Sequence, residues 1–300
     1  SAQWRGDIYA IPLSIDPNFA LIWNKDHFAE AGLDEEKGPE TVAEWRDYFA
    51  KLTRTNPTTG ELTRIGSRPW DVYGLANTVY SWGWIFGGSF YDVENIRVTA
   101  AHPAVVEALE FVREYHEQYA SRIARETSLG SGFIAGTDSM RFSVFGGTTG
   151  IMASHPQIRL GIGRQPRREG SANQYTEWIS GWGLGIAQGA REPDLAWEFI
   201  RFMTESPEGT SAYVGTNGLL SGYLQSPAHL NYIDDPIMSV YLQIAQTAPN
   251  WRPGIPVTAE YDTLLGQALT DVLAGAQQPR DALLFVEASL QRKLDEVLGR

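Results

Sequence analysis

The stretch from Leu75 to Asp92 limits the possible folds most. Six of its eighteen positions are Tyr, Trp or Phe, against 12% aromatic residues in the whole chain. On a helical period Leu75, Val79, Trp82 and Phe86 form one stripe, and Asn77, Tyr80, Ser81 and Trp84 form another. The first is wholly apolar and is predicted to pack into a core. The second mixes an amide, a phenol, a hydroxyl and an indole, which is unusual for a face meant only for water. Flat apolar surface with polar tips suits a two-sided ligand, such as a ring with C–H faces and a hydroxylated edge. The alternative is that Tyr80 and Trp84 are ordinary half-buried aromatics. Gly87-Gly88 ends the helix.

Around this stretch short strands and helices alternate, which indicates α/β. Ile8 to Leu13 reads as a strand, broken at Ser14-Ile15-Asp16-Pro17 and resumed over Phe19 to Trp23. A short helix follows over His27 to Ala31, and a longer one over Pro39 to Leu52 with acids early and bases late. His102-Pro103 launches a helix with a core stripe of Val105, Ala108, Leu109, Val112 and Tyr115. The segment 128–150 is rich in Gly, Ser and Thr, with a helical piece expected near Ser139 to Phe145 and a strand at Ile151-Met152-Ala153. Further strands are predicted at Leu160 to Ile162 and Trp178 to Ala187, and Gly215 to Gly222 reads as a loop. Helices are predicted from Pro193, from Asp235-Pro236, over Thr258 to Leu273 and over Pro279 to Leu298.

Three hundred residues allow one large domain or two modest ones. A formal charge of −12, with no basic cluster interleaved with aromatics, argues against nucleic acid or an anionic membrane as partner. Without Cys there is no disulfide and no thiolate chemistry. The five His are scattered with no metal-ligand spacing, and no phosphate loop, Gly-x-Ser-x-Gly or His-Glu-x-x-His occurs, so neither metal nor cofactor is expected. No apolar run is long enough to span a membrane and no signal peptide is evident. Because the chain opens at Ser1 without Met, a processed or truncated product is expected.

Several side chains stand out as candidate ligand contacts. Asp16 lies beside Pro17, where a carboxylate can accept two hydroxyls, or else cap a turn. Trp182 sits between Gly181 and Gly183, which leave its indole uncovered and favour a stacking platform. Trp251-Arg252, between Pro249-Asn250 and Pro253, offers an aromatic and a bidentate donor on a rigid loop, or is simply surface. Trp70 after Pro69 is a weaker case of the same kind. Asp92 and Glu94 form a conceivable carboxylate pair, although Asp92-Val93-Glu94-Asn95 also reads as a turn with solvated acids.

The order of features resembles the family 1 extracellular solute-binding proteins of ABC importers, which include the maltose-binding and glycerol-3-phosphate-binding proteins. The matching segments are Tyr9-Ala10-Ile11-Pro12, Leu21 to Asp26, Ala31-Gly32-Leu33, Trp84 to Gly88 with Tyr91-Asp92, Ala104 to Phe111, and Phe145-Gly146 with Gly150-Ile151-Met152. After them come Gly181 to Ile186, Ala196 to Ile200 with Ser206-Pro207-Glu208, and Thr216-Asn217-Gly218-Leu219-Leu220. Two places depart from the family pattern. Ser221 stands where Pro is usual, and Ser154-His155-Pro156-Gln157 lacks the customary aromatic.

The resemblance implies a two-lobe periplasmic-binding-protein-like fold (class II type) with the first lobe incomplete. Residues 1–14 and 181–225 would be remnants of the first lobe, and 15–180 with 226–300 the second. Ser14 to Asp16 and Ser180 to Gly183 would cross between lobes, and Asn77, Tyr80 and Trp84 would occupy a family ligand position. The implied function is a non-enzymatic, periplasmic or membrane-anchored extracellular receptor. It would be a monomer that takes a small sugar or polyol to an ABC permease in the membrane. A phosphorylated ligand stays open and needs cationic donors, of which Arg252 is the obvious one. Two other classes remain: a carbohydrate-active enzyme using Asp16 with Asp92 or Glu94, and a sensor or adhesin module coupled to a protein partner.

Overall fold

The structure, a computed structural model, describes residues 2–4, 6–123, 131–217, 219–223 and 225–300. Gly218 of the Thr216 to Leu220 motif, Ser1, and positions 128–130 of the Gly-rich segment lie outside them. In chain order the elements are β1 (Ala2–Trp4), β2 (Asp7–Asn18), β3 (Ala20–Asn24), α1 (Lys25–Glu30), α2 (Val42–Leu52), β4 (Arg54–Thr55), β5 (Leu62–Arg64) and α3 (Leu75–Ile85). Then come β6 (Tyr91–Asp92), β7 (Arg97–Val98), α4 (Pro103–Tyr119), α5 (Ser131–Ile134), β8 (Met140–Ser143), α6 (Phe145–Ser154), β9 (Leu160–Gly163) and β10 (Trp178–Leu184). The last third holds α7 (Pro193–Glu205), α8 (Pro207–Asn217), β11 (Leu220–Ser221), α9 (Leu230–Ile233), α10 (Met238–Thr247), β12 (Asn250–Trp251), α11 (Thr258–Leu273) and α12 (Pro279–Leu298).

Three helix starts are set by a capping side chain. The Asn24 side chain accepts from the amides of Asp26 and His27 at α1, and Thr41 caps α2 through the Glu44 amide. His102 accepts from the Ala104 amide at the start of α4, where Pro103 takes a first-turn position that needs no amide hydrogen. Gly87, with φ 88°, turns the chain away after α3.

Two sheets organise the molecule. One runs β8-β3-β9, all antiparallel. The other runs β1-β2-β10-β12, with β11 also on β2. Within it β2 and β10 form a long antiparallel ribbon, so Ser14 lies opposite Trp182 and Asp16 opposite Ser180. The two stretches expected to cross between lobes are thus partners in one ribbon.

Three expectations about local structure are corrected. The strand is not broken at Ser14 to Pro17. It continues through them as β2, with Pro17 buried opposite Ile179, and the break falls at Phe19. Ile151 to Ala153 are helical, and the strand is Met140 to Ser143, where a helical piece was expected. The open edge of β3 accounts for both: Met140 to Ser143 pair there, while Thr149 turns its hydroxyl back onto the Phe145 and Gly146 carbonyls inside α6. Finally, residues up to Asn217 belong to α8 rather than to a loop.

The main core is aromatic. Trp45, Trp82 and Phe111 meet one another at ring separations of 5.4, 5.4 and 4.7 Å. α3 runs between α4 and α11, so it is enclosed from both sides. At the far end of the ribbon the opposite holds. Leu195, Phe199 and Phe202 form an exposed stripe along α7, and Ile8, Tyr9 and Ile186 are exposed near the ends of β2 and β10. Ile200 and Thr204 are buried on the other side of that helix.

Candidate functional site

Directly paired residues in a sheet share a face. On one face of the ribbon the rows are Trp178 with Asn18, Ser180 with Asp16, and Trp182 with Ser14. Ser221 of β11 extends the last row, and Asn250 of β12 extends the first. Arg252 follows directly on β12, and its guanidinium carbon lies 5.1 Å from the ring centre of Trp178 in the first row. Trp178 anchors this face to the lobe: its indole lies 5.6 Å from the Trp84 ring and donates to the Ser81 hydroxyl at 3.3 Å. In the last row Ser14 and Ser221 are buried, and only Trp182, 66% exposed, stands out from the face.

Gly181 explains how the indole is presented. Its φ of +156° and its closeness to the Ser14 carbonyl leave no room for a Cβ, so the ribbon narrows just where Trp182 stands out. Asp16 is half-buried one row below. Burial pushes its carboxyl above the ordinary carboxylate value, and no described cation is paired with it. Alongside, the Asn18 amide donates to Ser180 Oγ at 2.6 Å. Ser14 Oγ is buried without a hydrogen-bond partner.

Tyr80 and Trp84 need correction as ligand contacts. Tyr80 is fully buried and Trp84 is 6% exposed. Their rings stack on each other at 5.2 Å and 17°, and Trp84 also meets Phe90 edge-on at 5.3 Å. The mixed stripe they form is covered by Trp178 and α11, because a helix packed on both sides has no solvent face to spare. The Tyr80 phenol lies near Asp262 without a well-formed hydrogen bond. Burial, and then the Asp262 charge, push its pKa far up.

Asn77 and Arg252 are brought together. Arg252 Nη1 donates to Asp262 Oδ2 at 2.9 Å, and Nη2 to Asn77 Oδ1 at 2.5 Å. The guanidinium lies 5.1 Å from the Trp178 ring centre and 5.8 Å from that of Tyr80. The other end of the Asn77 amide donates to the Tyr73 carbonyl at 2.7 Å. Trp251 is 67% exposed, but it pairs with Ile179 and so belongs to the opposite face of the ribbon from Trp182. Trp70 packs edge-on against His116 at 5.4 Å, away from the rows just described.

Three neighbours were missed from the sequence. Trp178 reads there as one apolar strand residue among several, and Ser180 only as the start of the second crossing. Tyr73 has a φ of 49°, rare for a bulky residue, and its ring stacks on Phe19 at 5.4 Å while Arg141 lies over it at 5.2 Å. The only sequence trace of that turn is the following Gly74.

The acid–base alternative finds little support. Asp92 accepts from both the backbone and the side-chain nitrogens of Asn95 in the β6–β7 hairpin, and these bonds hold its carboxyl below the usual range. Among the described residues no cluster of three or more His, Asp or Glu is arranged to hold a metal, and no helix is long and apolar enough to cross a membrane.

Taken together, the face offers an exposed indole, a half-buried carboxylate and serine hydroxyls on strands shared by both ends of the molecule. These groups lie on adjacent rows of one face of the β2–β10 ribbon. Residues 1–240 match the model of the bacterial extracellular solute-binding protein family, and the chain belongs to that family. It is 27% identical over 245 residues to a probable amino-acid ABC transporter periplasmic-binding protein of Sinorhizobium fredii, covering 78% of this chain and 49% of that protein. It is 22% identical to a maltotriose-binding protein of Pyrococcus abyssi, over 99% of this chain and 60% of that one. The chain thus spans about half to three-fifths of the curated relatives it matches. The solved structure of CpMnBP1 with mannobiose bound superposes with a TM-score of 0.80 at 22% identity, over 96% of this chain and 72% of that one. The fold is therefore that of the two-lobe binding proteins.

Proposed function

We propose that this protein is the extracytoplasmic receptor of an ABC importer for a small carbohydrate or polyol. The ligand would lie over the Asp16–Ser180–Trp182 face of the ribbon. The observation that carries the reading is the pairing of a 66% exposed Trp182 indole with the Asp16 carboxylate one row away. A sugar ring places its C–H face on such an indole and its hydroxyls on such a carboxylate. The maltotriose-binding relative and the mannobiose complex support a sugar over the amino acid named for the Sinorhizobium protein.

Residues 15–180 and 226–300 act in this reading as the second lobe, and 1–14 with 181–225 as part of the first. The aromatic core lies mostly in the former set, and the exposed α7 stripe lies in the latter. That stripe is the seat we assign to further first-lobe structure. Ligand touching both lobes would favour a closed arrangement through the ribbon. The receptor is monomeric, takes no nucleic acid and delivers its ligand to a membrane permease. Calorimetric titration of the longest natural form containing these residues, against a panel of sugars and polyols, tests the proposal. Absence of binding to every member would retire it.

A further inference from the structure

Resting on that receptor reading, we infer that the site takes an uncharged ligand and rejects its phosphorylated counterpart. The cation that would receive a phosphate is already committed. Arg252 donates from Nη1 to Asp262 and from Nη2 to Asn77, its Nε is buried without a partner, and its Cζ lies 5.1 Å from the Trp178 ring centre. Asn77 is itself held by the Tyr73 carbonyl, so the acceptor that fixes the guanidinium cannot swing away cheaply. A phosphate arriving at Arg252 would have to displace the Asp262 carboxylate, or sit beside it.

The rest of the face adds negative charge. Asp16 lies in the row next to the exposed indole, and no described cation neutralises it. Two further guanidiniums are engaged elsewhere. Arg141 covers the Tyr73 ring and is shared electrostatically with Asp71 and Asp138. Arg164 is paired with the buried Glu177. A hydroxyl can donate to Asp16, whereas a phosphate oxygen carries no such proton when ionised and is repelled. At a separation of about 6 Å and an effective dielectric near 20, that repulsion alone weakens binding roughly 100-fold.

The test uses two matched pairs, ribitol with ribitol 5-phosphate and glucose with glucose 6-phosphate, titrated calorimetrically into the longest natural form of the protein. The neutral member of at least one pair should bind at least about 30-fold more tightly than its phosphate. Phosphates binding as tightly as their parents, or more tightly, would overturn the inference and leave the receptor reading standing. If these compounds do not bind but another member of the panel does, the pair tested is that member and its monophosphate; no binding by any panel member would remove both. Asp16→Asn and Asp262→Asn should each shift the neutral-to-phosphate ratio at least about tenfold toward the phosphate, the first by lifting repulsion and the second by loosening Arg252. Two folded variants whose ratios stay at the parental value would refute the assignment.

Discussion

Trp84 is a structural indole and Trp182 the one proposed to bind ligand, and truncating each to Ala should give opposite results. Trp84 is 6% exposed and its ring centre lies within 5.6 Å of those of Tyr80, Phe90 and Trp178. A buried aromatic of this size removes about 150–250 Å² from water. At about 25 cal/mol per Å² that is roughly 4–6 kcal/mol, reduced to about 3–5 kcal/mol once a realistic unfolded chain is the reference. Trp84→Ala should therefore lower the melting temperature by roughly 6–20 °C, taking about 2–4 °C per kcal/mol. Trp182→Ala removes a ring that is 66% exposed, and its stability should change by no more than about 0.5 kcal/mol. Ligand binding should nevertheless weaken at least about tenfold, the worth of one good stacking contact. Thermal melts and calorimetric titrations of both variants decide the matter. A Trp84→Ala protein that melts within about 3 °C of the parent but no longer binds would show its indole working on ligand, and would refute the burial argument.

Other expectations follow from single sites. Glu177, whose side chain is fully buried, accepts Arg164 Nε at 2.9 Å and Nη2 at 2.8 Å as well as the Gln165 amide at 3.1 Å. Glu177→Ala leaves that guanidinium without its carboxylate, though still bonded to Thr247 and lying over Tyr175, and should cost about 2–4 kcal/mol in urea unfolding, whereas replacing both partners by apolar residues should cost less. Gly181→Ala would drive a Cβ into the Ser14 carbonyl, a backbone atom that cannot step aside, so it should cost more than about 1 kcal/mol and disturb the ribbon by NMR or hydrogen exchange. Asp16 has a folded pKa raised by burial above its ordinary 3.8, so its contribution is complete below that value and is lost as pH rises through the folded one. Asp16→Asn should then be more stable than the parent near neutral pH, lose that advantage in acid melts, and bind ligand more weakly.

What the sequence determined by itself was local chemistry and order. Thr258 to Leu273 and Pro279 to Leu298 form helices at the bounds their periodicity predicts, and Gly87 ends α3 as expected. The succession of motifs also identified the family. The exposure of Trp182 was legible because two glycines flank it, a local signal that survives folding unchanged. Only the tertiary structure could decide which strand fills the edge of β3, and hence that Ile151 is helical and Met140 is not. It also decided that Tyr80 and Trp84 lie inside. A polar-tipped stripe looks the same whether solvent, ligand or another helix will cover it, and here Trp178 and α11 do so from about one hundred and from nearly two hundred residues away. The same holds for Arg252. Asp262, ten residues on, pairs with its charge, but nothing near it in sequence reveals that Asn77, 175 residues upstream, will hold its second terminal nitrogen.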